Sequence, residues 1–226
     1  MTDLLITYLE SAAAMAPAWG FLLVFVFMTI ESSLIPFPSE VVMIPAGFLA
    51  ARGSLTTGDP ITDAAISVLM GTLGSLAGAW FNYALAWKVG APFLERYGRY
   101  FFLPPEALHR AQELFRTYGA GATFVCRLLP AIRQLISLPA GLARMPMWSF
   151  TLWTGLGAGI WVTVLTAIGY TFGMQTAEMG WADIVHNGKA QVSANAWWMF
   201  PSLILGFLAY VAVTRRIMQS SSSATQ

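Results

Sequence analysis

Charged side chains are scarce in this sequence, and cysteine and histidine are scarcer still. Asp, Glu, Lys and Arg make up 10% of the 226 residues, whereas a soluble domain carries about 25%. The net charge of +1 gives no basic field that would attract nucleic acid. The single cysteine, Cys126, excludes an intrachain disulfide and a multi-cysteine metal site. His109 and His186 stand far apart in polar stretches, so no histidine metal site is expected.

Apolar residues are abundant instead. They make up 57% of the chain, and the mean hydropathy is +0.62, which predicts an integral membrane protein. The first sixteen residues contain Asp3 and Glu10 but no lysine or arginine, which is not typical of a removed signal peptide. Four apolar segments approach the roughly 20 residues that cross a bilayer: residues 17–30, 64–89, 148–174 and 196–214.

These segments divide the chain into five predicted parts. An N-terminal segment (1–16) precedes a membrane domain (17–175). An extracytoplasmic loop (176–195), a C-terminal transmembrane helix (196–216) and a disordered tail (217–226) follow it.

Two further apolar stretches, at about residues 31–50 and 122–143, are broken by prolines. Pro36, Pro38 and Pro45 interrupt the first stretch, and Pro130 and Pro139 interrupt the second. Proline removes a backbone donor and breaks a helix. Irregular backbone at membrane depth is tolerated only when it is buried in protein or faces a watery cavity. We therefore predict two re-entrant helical hairpins.

The two broken stretches also resemble each other. Pro45-Ala46-Gly47 follows the first charged segment, and Pro139-Ala140-Gly141 follows the second. Short apolar strings can match by chance, but the matching position after a charged hairpin favours a true repeat. Paired broken segments in corresponding positions of two halves mark the binding site in many transporters.

The distribution of basic residues predicts the topology. The connection after residue 89 and the segment after residue 214 are rich in lysine and arginine, and such segments lie in the cytoplasm. Both termini are then cytoplasmic, and the hairpins enter from opposite sides. Residues 104–118 have helical apolar spacing, which predicts an amphipathic helix on the cytoplasmic membrane face or docked on the protein's own spans. The predicted fold is an all-α integral membrane protein with about four transmembrane helices, two opposed re-entrant hairpins in an inverted repeat and this amphipathic helix.

Four charged residues lie in the two broken stretches: Glu31, Glu40, Arg127 and Arg133. A charge at the bilayer centre costs about 2.5–3.5 kcal/mol on insertion scales, and mutual pairing of two acids with two arginines would offset much of it. One interpretation is an architectural ion-pair cluster that fastens one hairpin to the other. The other is a functional site.

In the functional interpretation the arginines and the glutamates do different work. Arginine stays protonated and grips phosphate oxygens in two places, so Arg127 and Arg133 are candidates for binding an anionic headgroup. Burial favours the protonated form of a glutamate and a nearby arginine favours the ionised form. Glu31 and Glu40 are therefore candidates for loading and releasing protons. Ser39 is expected to cap a half-helix that begins at Glu40.

Weaker signals concern packing rather than chemistry. Gly74 and Gly78 form a GxxxG pattern suited to close contact between helices. Asn82 and Tyr83 are more typical of interhelical hydrogen bonds than of ligands. Trp148, with Trp181, Trp197 and Trp198, lies near predicted span ends, as in any interfacial aromatic belt.

Taken together, these motifs resemble the DedA family, the bacterial branch of the VTT-domain (SNARE-associated Golgi protein) superfamily, over about residues 20–175. The residues that carry the resemblance are Glu31, Pro36, Phe37, Pro38, Ser39, Glu40, Ala46, Gly47, Gly74, Gly78, Tyr83, Gly90, Phe124, Arg127, Pro130, Arg133, Ala140 and Gly141.

The resemblance implies an inner-membrane protein that moves lipids, notably undecaprenyl phosphate returning to the cytoplasmic leaflet. Other members are linked to phosphatidylethanolamine, eukaryotic relatives to lipid scrambling, and the family to the proton-motive force. The family's two functional acids fall on Glu31 and Glu40, and its two functional arginines on Arg127 and Arg133. Some members have aspartate as the second acid at a longer spacing.

The leading hypothesis is a flippase for a lipid phosphate, coupled to protons, without a cofactor or a metal and without enzymatic activity. Its partners are the lipid, protons and a possible second copy of the chain. Alternatives are an uncoupled scramblase and a membrane-homeostasis factor. A lipid phosphatase is disfavoured, because no apolar segment carries a histidine beside an acid or a serine. Residues expected to support the hairpin geometry are Pro36, Pro38, Ser39, Gly47, Pro130 and Gly141.

Overall fold

The structure of the protein, a computed structural model, describes residues 2–33, 38–90, 120–127, 133, 136–180 and 183. The chain divides into two compact units, Glu10–Ala177 and Met1–Leu9 with Glu178–Gln226. The first unit contains the candidate site and, apart from the first turns of one helix, all of the helices that support it.

The described residues form helices and no strands. The helices are α1 (Thr2–Glu31), α2 (Glu40–Ala51), α3 (Pro60–Val89), α4 (Ala120–Arg127), α5 (Ser137–Leu142) and α6 (Met147–Gln175). Segments long and apolar enough to cross a membrane lie in α1 (Ala14–Glu31), α3 (Pro60–Lys88) and α6 (Met147–Gln175). An all-helical membrane protein is thus confirmed. The predicted fourth span (196–216) and amphipathic helix (104–118) fall outside the described residues.

The antiparallel helices α3 and α6 form the frame. Near one end the Tyr83 hydroxyl donates to the Met145 carbonyl (2.6 Å), and the Trp80 indole donates to the Thr151 hydroxyl (3.0 Å). Farther along, Gly71 lies against Val162. Since the residue numbers fall along α3 as they rise along α6, Ser75 and Trp161, near the two helix midpoints, lie at about the same depth.

Glycines allow the other helices to approach this frame closely. A Cβ at Gly74 would meet the Phe25 carbonyl of α1, and one at Gly78 would meet the Thr29 carbonyl. The GxxxG prediction of close helix packing is therefore confirmed. A Cβ at Gly157 of α6 would likewise meet Arg127 of α4. Small residues let backbones approach in this way inside membranes.

The two Pro-Ala-Gly strings make reciprocal contacts. Gly47 of α2 lies against the Thr166 carbonyl of α6, and Gly169 of α6 lies against the Ile44 carbonyl of α2. Gly141 of α5 lies against the Tyr83 carbonyl of α3. The helix α2 therefore packs mainly on α6, and α5 packs on α3.

The turn between α2 and α3 is held by carboxylates. Asp63 is fully buried and accepts hydrogen bonds from the backbone and hydroxyl of Thr57 (3.0 and 2.7 Å) and from the Gly58 backbone (3.2 Å). Asp59 caps α3 by accepting from the Thr62 backbone (2.8 Å). Hydrogen bonds from Thr62 hold the pKa of the Asp59 carboxyl below its usual value. The turn thereby fixes where α2 ends and α3 begins.

Many large apolar side chains point outward. Trp19 on α1, Phe81 on α3 and Phe172 on α6 are more than half exposed. Such a surface suits hydrocarbon rather than water, because lipid tails are as apolar as these side chains. Predicted belt residue Trp148 is also highly exposed, near the start of α6.

Candidate functional site

Two of the four predicted charged residues form a buried ion pair. Glu31 is the last residue of α1, and Arg133 lies between α4 and α5. An Arg133 Nη2 atom lies 2.6 Å from Glu31 Oε1, and the two residues are 8% and 2% exposed. The Ser32 hydroxyl donates to the other carboxylate oxygen, Glu31 Oε2 (2.7 Å). Both carboxylate oxygens of Glu31 are thus engaged.

The second arginine lies beside this pair without joining it. Arg127 is the last residue of α4, is 3% exposed, and donates from Nη2 to the Ser137 hydroxyl of α5 (3.1 Å). Among the described residues, neither Arg127 Nε nor Arg133 Nε has a hydrogen-bond acceptor. Buried donors without acceptors are uncommon and costly. The two Nε–H groups are therefore available to donate to an oxygen atom of a bound ligand.

Trp161 contacts both Arg133 and the first broken segment. Its ring lies under the Arg133 guanidinium, with 5.6 Å between Cζ and the ring centroid, close enough for a cation–π interaction. Its Nε1 atom donates to the hydroxyl of Ser39 (3.2 Å). Trp161 is a site residue that the sequence analysis missed, and its only sequence signal is a tryptophan at the middle of a predicted span rather than at an end.

A small cavity lies among these groups. Its volume is about 10 Å³, room for about one water and far too little for a phosphate group. It is lined by Met28, Glu31, Ser32, Ser75, Arg127, Arg133, Ala158, Trp161 and Val162. Because Ser75 and Trp161 lie near the midpoints of α3 and α6, the cavity lies about halfway along the two long helices.

Glu40 does not join the cluster in this conformation. It is the first residue of α2, it is half-buried, and among the described residues it forms no ion pair with Arg127 or Arg133. Ser39 stands at the N-cap position, as expected. The prediction that its side chain caps the helix is wrong, because the hydroxyl makes no capping hydrogen bond and accepts from Trp161 instead.

The other predicted residues are placed as follows. Gly47 and Gly141 provide the close helix contacts described above, and Pro38 is exposed just before α2. Asn82 is buried and donates to the Ser32 carbonyl (3.1 Å), so the predicted interhelical hydrogen bond is confirmed. Pro36 and Pro130 lie outside the described residues.

Comparison with known proteins identifies the family, since the VTT-domain model matches residues 37–171. The chain belongs to the VTT-domain (DedA) family. YkoX, a membrane protein of Bacillus subtilis, is 32% identical over 87% of this chain and 81% of its own length. Undecaprenyl phosphate transporter A of the same organism is 30% identical over 65% of this chain and 68% of its own. An alkaline phosphatase-like protein of Lactococcus lactis subsp. cremoris is 33% identical over 85% and 87% of the two lengths. No solved structure matches the chain.

The family match confirms the resemblance found in the motifs. Glu40, Arg127 and Arg133 lie within the matched part of this VTT-domain protein, and Glu31 precedes it. With membrane proteins among its relatives and three helices of spanning length, the chain is a multi-pass membrane protein. The names of its bacterial relatives agree with the expected inner-membrane location.

Proposed function

We propose that this VTT-domain protein carries a lipid phosphate, most simply undecaprenyl phosphate, across the inner membrane. The observation that carries the proposal is the buried cluster in which Arg133 pairs with Glu31 while Arg127, among the described residues, donates to the Ser137 hydroxyl. Guanidinium groups bind phosphate oxygens in two places. Relatives from two bacteria bear the name of an undecaprenyl phosphate transporter, which supports the choice of substrate.

We further propose that residues 31–50 and 122–143 are re-entrant hairpins that enter from opposite membrane faces. Support comes from how the contacts run along α6. Arg127 of the second hairpin lies against Gly157, and Ser39 of the first hydrogen bonds Trp161. Farther along, Arg52 donates to the carbonyl of Thr176 at the end of α6. The first hairpin thus occupies one half of the helix and the second hairpin the other, with the charged cluster between them.

The same arrangement supports an inverted repeat. In the first half α1 packs on α3 through Gly74 and Gly78, and in the second half α4 packs on α6 through Gly157. The short helices also cross over in the same way in both halves. Through Gly47, α2 of the first half packs on α6 of the second, and through Gly141, α5 of the second half packs on α3 of the first. Transporters built in this way bind their substrate near the bilayer midplane, at the interface of the repeats.

The mechanism rests on competition between two anions for Arg133. A phosphate headgroup that binds Arg127 and Arg133 displaces the Glu31 carboxylate. Once displaced and still buried, Glu31 takes up a proton because burial disfavours its charged form. Loss of that proton on the other side returns Glu31 to Arg133 and expels the lipid. A proton that travels with a singly charged phosphate leaves no net charge to move across the membrane potential. The driving force is then the pH gradient, which is worth about 1.4 kcal/mol for each pH unit.

Glu40 has a different part in this proposal. It is half-buried beside Ser39 and does not line the closed cavity, so we assign to it a proton exchange that does not involve the Glu31–Arg133 pair. The side of the membrane on which each terminus lies, and any association into oligomers, stay predictions from the sequence.

The test is lipid movement in liposomes that contain only the purified protein. We expect undecaprenyl phosphate to move between leaflets faster with an imposed pH gradient, and we expect Arg133→Ala to abolish the movement. Arg144→Ala is the matched control, because Arg144 is exposed and lies outside the cavity. Movement that ignores both the gradient and headgroup charge would indicate a scramblase. Release of inorganic phosphate from the lipid would indicate a phosphatase, and full movement with Arg133→Ala would refute the site.

A further inference from the structure

We propose that a groove between α1 and α2 binds the hydrocarbon chain of the lipid whose headgroup occupies the arginine cluster. This inference rests on the proposed function and adds a second binding surface to it. The groove, called the α1–α2 groove below, is lined by Ala16, Gly20, Leu23, Val24, Phe27, Val41, Val42, Pro45, Ala46, Leu49 and Leu55.

The chemistry of the α1–α2 groove suits a hydrocarbon chain. Every lining residue is apolar, and the groove's volume is about 290 Å³, near the lower end of small-molecule pockets at roughly 300 Å³. Leu23, Phe27 and Val41 are 44%, 42% and 57% exposed at its rim. The groove therefore opens toward the lipid phase, and a chain enters it sideways without passing a polar group.

The length of the groove suits an extended chain. From Ala16 to Phe27 the helix rises roughly 16 Å, at about 1.5 Å per residue. A volume of about 290 Å³ spread over that length describes a long, shallow slot. A single hydrocarbon chain can lie along such a slot.

The groove ends next to the charged cavity. Val24 and Phe27 line the groove, and Met28 and Glu31, one helical turn further along α1, line the cavity. Val24, Met28 and Ala46 belong to one buried hydrophobic cluster, which lies between the two spaces. A chain lying in the groove thus ends about one helical turn, roughly 5 Å along α1, from the level of Glu31.

The closeness of the groove to the cavity gives the groove its role. Lipid tails are as apolar as the groove, so the hydrophobic effect does not drive the chain into it. The groove instead positions the lipid, since a chain held along α1 places its headgroup at one distance from Arg133. Holding a bound group in one geometry can raise the rate of the step that follows by a large factor.

The test compares two neighbouring leucines on α1. Leu23 lines the groove, whereas Leu22, which is 51% exposed, does not. We expect Leu23→Trp to fill the groove and to slow movement of undecaprenyl phosphate between leaflets by about tenfold, whereas Leu22→Trp leaves it unchanged. Val41→Trp fills the groove from α2 and is expected to repeat the effect if Leu23→Trp fails to fold. Inorganic phosphate has no chain, so any shift that it causes in the midpoint of thermal unfolding should be the same for both variants as for the unaltered protein.

The outcomes separate this inference from the proposed function. Equal rates for Leu23→Trp and Leu22→Trp, with Arg133→Ala inactive, would overturn the groove and leave the lipid-phosphate carrier standing. Active Arg133→Ala would overturn the carrier and with it the groove. A change of oligomeric state in Leu23→Trp but not in Leu22→Trp would show that a second copy covers the groove, and that too would overturn it.

Discussion

Replacing Arg133 by alanine should destabilise the protein strongly. Glu31 is 2% exposed and would lose the Arg133 guanidinium that lies 2.6 Å from its carboxylate, while keeping the hydrogen bond from the Ser32 hydroxyl. Removing one partner of a buried ion pair costs about 3–5 kcal/mol. At about 2–4 °C per kcal/mol for a chain of this size, the midpoint of thermal unfolding should fall by roughly 6–20 °C.

A double-mutant cycle in detergent completes the measurement. Combining Arg133→Ala with Glu31→Gln removes both buried charges, so the double variant should be more stable than the sum of the two single losses predicts. Scanning fluorimetry of the four proteins gives the coupling. Additive losses would refute the ion pair as the state of the resting protein.

Two further predictions concern packing and the indole. Gly169→Ala should destabilise the protein by about 1–3 kcal/mol or more, because its Cβ would overlap the Ile44 carbonyl. Gly155→Ala on the same helix meets only Leu76 side-chain atoms at 3.7 Å and should be neutral or up to about 1 kcal/mol stabilising; equal effects in scanning fluorimetry would contradict these contacts. Trp161→Phe keeps a ring under Arg133 and loses the hydrogen bond to Ser39, so it should cost about 0.5–1.5 kcal/mol, measured by the same method. No change in Trp161→Phe would show that the bond contributes nothing.

The long helices could be predicted from the sequence because uninterrupted apolar runs determine them. The predicted spans at 64–89 and 148–174 became Pro60–Val89 and Met147–Gln175. The first of these helices begins earlier than the predicted span, because Asp59 caps it by accepting a hydrogen bond from the Thr62 backbone in a less apolar stretch of the sequence. The four charged candidates could also be identified from the sequence, because a charged residue within an apolar run is easily recognised.

Partners within the site were harder to predict, since they depend on which faces of distant helices meet. The balance of two acids against two arginines did not show that Glu31, and not Glu40, pairs with Arg133. Ser137 and Trp161 are ordinary residues of apolar helices in the sequence. They became site residues only because α5 and α6 bring them against the arginines.

The contacts around Arg133 also bear on how the two broken segments act together. Arg133 from the second segment contacts Glu31 at the start of the first, and through the Trp161 ring it is linked to Ser39 in the middle of the first. Glu31 and Trp161 therefore both hold the same guanidinium. A phosphate that displaces Glu31 changes the charges around the Arg133 guanidinium on which the ring stacks, and the indole of the same residue holds the start of α2 through Ser39. Under the proposed function, headgroup binding in one segment and the position of the other are consequently linked through a single side chain. Trp161→Leu removes the ring contact with Arg133 as well as the hydrogen bond, so its stability cost should shrink once Arg133 has been replaced by alanine.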